Sequence, residues 1–160
     1  MMAGQEFRVK MAEFAISTSP DVLITIGLGS CVGIAIYDPR KKIGGLVHIM
    51  LPENRKGLKP AKYADTGIPH VIEKMKELGA RKRRMVAKIA GGAQMFSMSG
   101  KDSGLKVGAR NIKKVKEVLK EENIEIIGED VGKNYGRTMK FYTEDGRVLI
   151  TSHRKDDNIL

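Results

Sequence analysis

The stretch 24–39, ITIGLGSCVGIAIYDP, limits what this chain can build more than any other part of it. Residues 22–36 carry no charge, and β-branched residues crowd both sides of a central GLGS. Fifteen such residues, three of them glycine, fall short of the roughly 20 that a membrane-spanning helix needs. They read as two buried strands, 22–26 and 32–37, separated by a glycine-bearing bend. Asp38-Pro39 suits the first two positions of a type I turn, so 43–51 (IGGLVHIML) returns as the next strand, closed by Pro52.

The remaining chain follows the same rules. A polar loop at 53–62 leads to a helix with Asp65 or Thr66 as N-cap and Pro69 in its first turn. Ile68, Val71, Ile72 and Met75 form its apolar stripe, and Gly79 ends it. Residues 84–90 read as a strand and the Gly/Ser/Lys-rich 97–108 as a loop. A second amphipathic helix covers about 110–122, with Ile112, Val115, Val118 and Leu119 on one face. A strand at 124–130, a loop at 131–137 and a hairpin at 138–151, turning at Glu144-Asp145-Gly146, complete the core. The last residues, RKDDNIL, are expected to fray. Hairpins mixed with helix crossovers predict an α+β, sandwich-like fold, with mixed sheets flanked by helices. The expected unit is a single domain over 1–160 with its core at about 7–152, since 160 residues suit one hydrophobic core.

Composition narrows the function classes. With 41% apolar and 30% charged residues, the chain has a globular rather than a disordered balance. A lone cysteine excludes an internal disulfide, and no Cys/His cluster has zinc spacing, so neither metal nor cofactor is expected. The opening MMAGQEFRVKMAEF has no apolar block of the signal-peptide kind, which points to the cytoplasm and away from membrane insertion. Twenty-nine Lys and Arg against 19 Asp and Glu give a net charge of +10. Such a surface suits either a heat-stable, Lys/Glu-rich exterior or an acidic protein partner. The densest basic run, ARKRR at 80–84, has no interleaved aromatics for stacking on bases, so nucleic acid is not the expected partner.

Two chemistries remain for the glycine bend. A dinucleotide fingerprint would need Gly or Ala where Val32 stands, and a helix after the glycines where a strand pattern follows. That reading fails. The other is nucleophilic: Gly27 and Gly29 are expected to take positive φ and present N–H groups beside Cys31. A hairpin closed by DPRK with two or four loop residues pairs Cys31 with His48, with Cβ atoms roughly 4.5–5.5 Å apart. Imidazole can then take the thiol proton and return it to a leaving amine. Against this, free cysteine is often a small buried hydrophobe, and a lone His in an apolar strand is often a hydrogen-bonded core residue. Spacing leaves both readings open. His70, beside Pro69, and His153, near the C-terminal end, read as structural or solvent-facing.

The blocks LITIGLGSCVGIAIYDP, GGLVHIMLP, KYADTGIP, AKIAGGAQMF, VGARNI and GEDVGKNYGR, in this order, resemble the motifs of the CheD family of chemoreceptor glutamine deamidases. The resemblance implies hydrolysis of selected glutamine side-chain amides on chemoreceptors, in chemotaxis, to glutamate and ammonia through a cysteine thioester. It implies a catalytic set of Cys31, His48 and Thr25, with the oxyanion held near Gly29, Ser30 and Cys31. It also implies a fold similar to the catalytic domain of the cytotoxic-necrotizing-factor toxins. The implied partners are the cytoplasmic helices of chemoreceptors, whose glutamate-rich segments match a basic enzyme, and a CheC-type phosphatase. A non-catalytic adaptor for such partners is the alternative. Lys133 departs from the pattern, standing where the family usually has a second glycine.

Overall fold

The computed structural model describes residues 4–57, 59–95, 106–153 and 155–160. The elements run β1 (Glu6–Arg8), β2 (Phe14–Thr18), β3 (Val22–Leu28), β4 (Val32–Asp38), β5 (Ile43–Ile49), α1 (Ala64–Glu77), β6 (Val86–Gly91), α2 (Val107–Glu121), β7 (Glu125–Val131), β8 (Arg137–Tyr142), β9 (Val148–Thr151) and β10 (Asn158–Ile159). They form two five-stranded sheets, ordered β1-β3-β8-β9-β10 and β2-β5-β4-β6-β7. Each sheet contains both parallel and antiparallel pairs, so the architecture is α+β with mixed sheets, as the alternation of strand and helix patterns predicts.

Period-two alternation in β4 and β5 creates the layers. Val32, Ile34, Ile36, Val47 and Ile49 pack against Ile68, Val71, Ile72 and Met75 of α1 and Val115 and Leu119 of α2. The intervening residues Cys31, Ala35, Tyr37 and Leu46 face the other sheet and meet Leu23, Leu28, Met139, Phe141, Val148 and Ile150. Helices, central sheet and outer sheet therefore stack as three layers.

The structure corrects several expectations. The N-terminal strands β1 and β2 lie in a stretch the alternation pattern left unassigned, and both complete sheets through partners distant in sequence. Helix α1 starts at Ala64, with Tyr63 rather than Asp65 or Thr66 at the N-cap. Its first N–H groups, on Ala64 and Asp65, donate to the carbonyls of Leu51 and Pro52, so no side-chain cap is required. Pro69 consequently lies inside the helix, in its second turn. Helix α2 starts at Val107, earlier than expected, and most of the 97–108 loop falls outside the described residues. The chain end does not fray: Asn158 and Ile159 pair with β9, and Leu160 and Val148 exchange backbone hydrogen bonds.

The basic run at 80–84 is partly consumed by the fold. Arg84 clamps the fully buried Asp38 carboxylate, with its Nη2 2.8 Å from Oδ2, and Lys82 pairs with Glu122. Burial alone would raise the Asp38 pKa. Hydrogen bonds from Arg84 and from the backbone N–H groups of Arg81, Lys41 and Arg40 outweigh it and bring the value to about 2.

Candidate active site

The stretch 24–39 changes sheets. β3 belongs to the outer sheet and β4 to the central one, so the GLGS bend carries the chain across the gap between them. A β-bulge between Thr25 and Leu28 starts the crossing, and Gly27 within it has φ +80°. Gly29, expected to share that left-handed backbone, is not among the positive-φ residues. The bend needs one such residue, because the bulge has already turned the strand.

The β4–β5 hairpin is closed by four residues, with Asp38 paired to Ile43. The Asp38 carboxylate accepts from the N–H groups of Arg40 and Lys41, which keeps Asp38 at the strand end rather than in the loop. The register is therefore two residues from the expected one: Gly33, not Cys31, pairs with His48. A shift of two preserves the face. Cys31, just before β4, and His48 remain on the side of the central sheet that meets the outer sheet.

His48 is fully buried and is tied to the outer sheet by Thr25, whose Oγ1 lies 2.7 Å from Nδ1. The same hydroxyl is 2.6 Å from the carbonyl of Val9, which can only accept. A threonine hydroxyl has one hydrogen. Spent on Val9, it leaves Oγ1 to accept from Nδ1–H, and this sets the tautomer with a lone pair on Nε2. Nε2 has no partner among the described residues. Burial lowers the His48 pKa to about 4, so the ring is neutral near pH 7. Burial also raises the Cys31 thiol above its usual range, with a smaller opposing effect from its own backbone N–H. The resting groups are therefore a neutral thiol and a neutral imidazole, rather than an ion pair.

The bend is held by the next strand and helix. Ala93 N–H donates to Gly29 O, and Gly92 N–H to Cys31 O, each at 2.8 Å. The second contact requires glycine at 91, where φ is +106° and a Cβ would lie 2.3 Å from the Cys31 carbonyl oxygen. The Asn111 side-chain nitrogen reaches Ser30 O at 2.9 Å. Reasoning from spacing assigned no role to Gly91, Gly92 or Asn111, although the double glycine after a strand was a visible signal of close backbone approach. Of the other histidines, His70 stacks edge-on against Phe14 at 4.8 Å and His153 is exposed, in keeping with structural and solvent-facing roles.

Fold and geometry together define a two-sheet α+β domain with a lone cysteine on the sheet crossover and a buried Thr–His pair in the same layer. A family model described as CheD chemotactic sensory transduction matches residues 50–152. Curated proteins named probable chemoreceptor glutamine deamidase CheD match nearly the whole chain. The one from Caldanaerobacter subterraneus subsp. tengcongensis is 51% identical over 152 residues, covering 93% of this chain and 94% of the relative. The one from Clostridium novyi is 53% identical with the same coverage, and the one from Desulforamulus reducens 51% identical over 91% of this chain and 89% of its own. The chain belongs to the CheD family. Among solved structures, a Neisseria meningitidis protein of the DUF152 family matches with TM-score 0.53 and 9% identity, covering 91% of this chain and 73% of that one. That likeness concerns the fold alone.

Proposed function

We propose that this protein is a chemoreceptor glutamine deamidase that uses Cys31 as nucleophile, His48 as general base and acid, and Thr25 to orient His48. The observation that carries the reading is the His48 ring itself: Thr25 fixes Nδ1 as donor, and Nε2 is left basic and unpaired in the layer that holds the only cysteine. Nε2 takes the thiol proton as Sγ attacks the glutamine Cδ. The tetrahedral oxyanion is held by the N–H groups of Ser30 and Cys31, since the Gly29 N–H donates to Gly27 O at 3.1 Å. Nε2–H then protonates the departing amine, releasing ammonia and leaving a glutamyl thioester. Water, deprotonated by Nε2, attacks that thioester, and the returned proton regenerates the thiol with release of glutamate.

Support for the receptor as substrate comes from the names of the relatives and from the charge of +10, which suits acidic helices. A pocket of about 670 Å³ with a mixed polar and apolar lining, including Ile26, Gly27, Met95, Asn134, Arg137 and His153, adjoins the bend and offers room for such a helix. The same reading includes a CheC-type phosphatase as competing partner and a cytoplasmic location. Neither helix is long and apolar enough to cross a membrane among the described residues.

Receptor cytoplasmic fragments incubated with the protein and mapped by peptide mass spectrometry should show specific Gln-to-Glu conversion. Cys31→Ala should lose at least about a thousandfold in rate. Equal conversion by wild type and Cys31→Ala would overturn the assignment.

A further inference from the structure

Asn111 sits on α2, fully buried, and its amide nitrogen makes two hydrogen bonds, to Ser30 O at 2.9 Å and to Met50 O at 3.0 Å. Ser30 immediately precedes Cys31, and Met50 follows His48 by two residues. Both partners are carbonyls, so only the NH2 end of the side chain can serve them, and both of its hydrogens are used. The amide oxygen has no partner among the described residues. The unpaired oxygen costs stability, and the two bonds from the nitrogen to Ser30 O and Met50 O offset it, so asparagine serves this position through what its nitrogen holds.

The geometry of the peptide bond supplies the reason. The Ser30–Cys31 bond is trans, so its C=O and N–H point in opposite directions. Fixing Ser30 O toward α2 turns the Cys31 N–H away from the helix, to the side of the bend where its own thiol lies. The bond from Ala93 N–H to Gly29 O orients the Ser30 N–H in the same manner. Among the described residues no backbone carbonyl accepts from either N–H, and the Cys31 N–H faces its own thiol, where the oxyanion would form.

We infer that Asn111 is a positioning residue that aims the oxyanion-binding N–H of Cys31 while holding the ends of the nucleophile and base strands at a constant separation. This deepens the deamidase reading and rests on it. A residue acting through oxyanion geometry should affect amide hydrolysis, which passes through a tetrahedral oxyanion, and spare thiol alkylation by iodoacetamide, which does not.

Asn111→Leu and Asn111→Asp should therefore lower kcat on receptor fragments about tenfold to a hundredfold, with KM unchanged. The rate of Cys31 alkylation at pH 9 should stay within twofold of wild type. Folding of each variant is checked by its thermal transition. A folded Asn111→Leu with wild-type kcat, or an alkylation rate that falls in step with kcat, overturns the inference alone. A wild-type protein that converts no receptor glutamine overturns the deamidase reading, and the inference with it.

Discussion

The two faces of the central sheet are made by the same strands and serve different ends. Toward the helices, Val32, Ile34, Ile36, Val47 and Ile49 meet Ile68, Val71, Met75 and Leu119 in an apolar layer from which water is excluded. Toward the outer sheet, alternate residues of those strands mix Ala35, Tyr37 and Leu46 with Cys31 and His48, and Thr25 reaches in from β3. The first layer gains from every buried methylene. The second carries a cost, since His48 Nε2 is buried without a partner. A buried polar group that weakens the fold is the kind of local conflict expected at a functional site, and the unpaired Asn111 oxygen on α2 lies beside the same bend.

Substitutions should separate the faces. The greatest contrast pairs the Cys31→Ala variant, inactive yet close to wild type in thermal stability, with Ile34→Ala on the helix side. Ile34→Ala should cost about 3 kcal/mol by denaturant unfolding and leave kcat per folded molecule unchanged. Loss of activity in folded Ile34→Ala would show that the layers are not independent.

The pH dependence should also belong to one face. The folded His48 pKa of about 4 lies below the unfolded value of about 6.5, so the unfolded chain takes up a proton that the folded one refuses. Its contribution is therefore fully present above about pH 6.5 and is lost as pH falls toward 4, by an amount of order 3 kcal/mol. His48→Gln should flatten the stability curve in that window, as measured by urea unfolding at several pH values. The acid limb of kcat/KM should fall near pH 4 rather than near 6.5.

Thr25→Val keeps the volume of the side chain but removes the hydroxyl that joins His48 to Val9 O. We expect kcat to fall about tenfold or more, because the ring loses its fixed tautomer and orientation. A wild-type rate in Thr25→Val would make the Thr25 contact purely structural. The smallest effect lies at the rim. Lys133 has φ +62°, so Lys133→Gly should raise stability by up to about 1 kcal/mol without altering kcat.

Much of this layout was legible locally. The strands at 22–26, 32–37 and 43–51, the two amphipathic helices and the Asp38-Pro39 turn follow from side-chain period and turn chemistry, which depend on near neighbours. The shared face of Cys31 and His48 also survived, because a two-residue error in register leaves the face unchanged. The partner across the hairpin did not survive, since the Asp38 carboxylate moved the turn by using backbone donors that no periodicity reveals. The strands β1 and β2 were invisible for a related reason: each is short and is held by hydrogen bonds to residues far along the chain.

By itself the sequence determined the strand alternation, a single thiol beside a glycine bend, and one histidine on the matching face. Only the tertiary structure decided that the strands before and after that bend belong to different sheets. It alone brought Thr25 to His48 and Asn111 to Ser30, separated by 23 and 81 residues. Side-chain direction is set within two residues by backbone geometry, whereas sheet membership and hydrogen-bond partners depend on which distant surfaces are buried together.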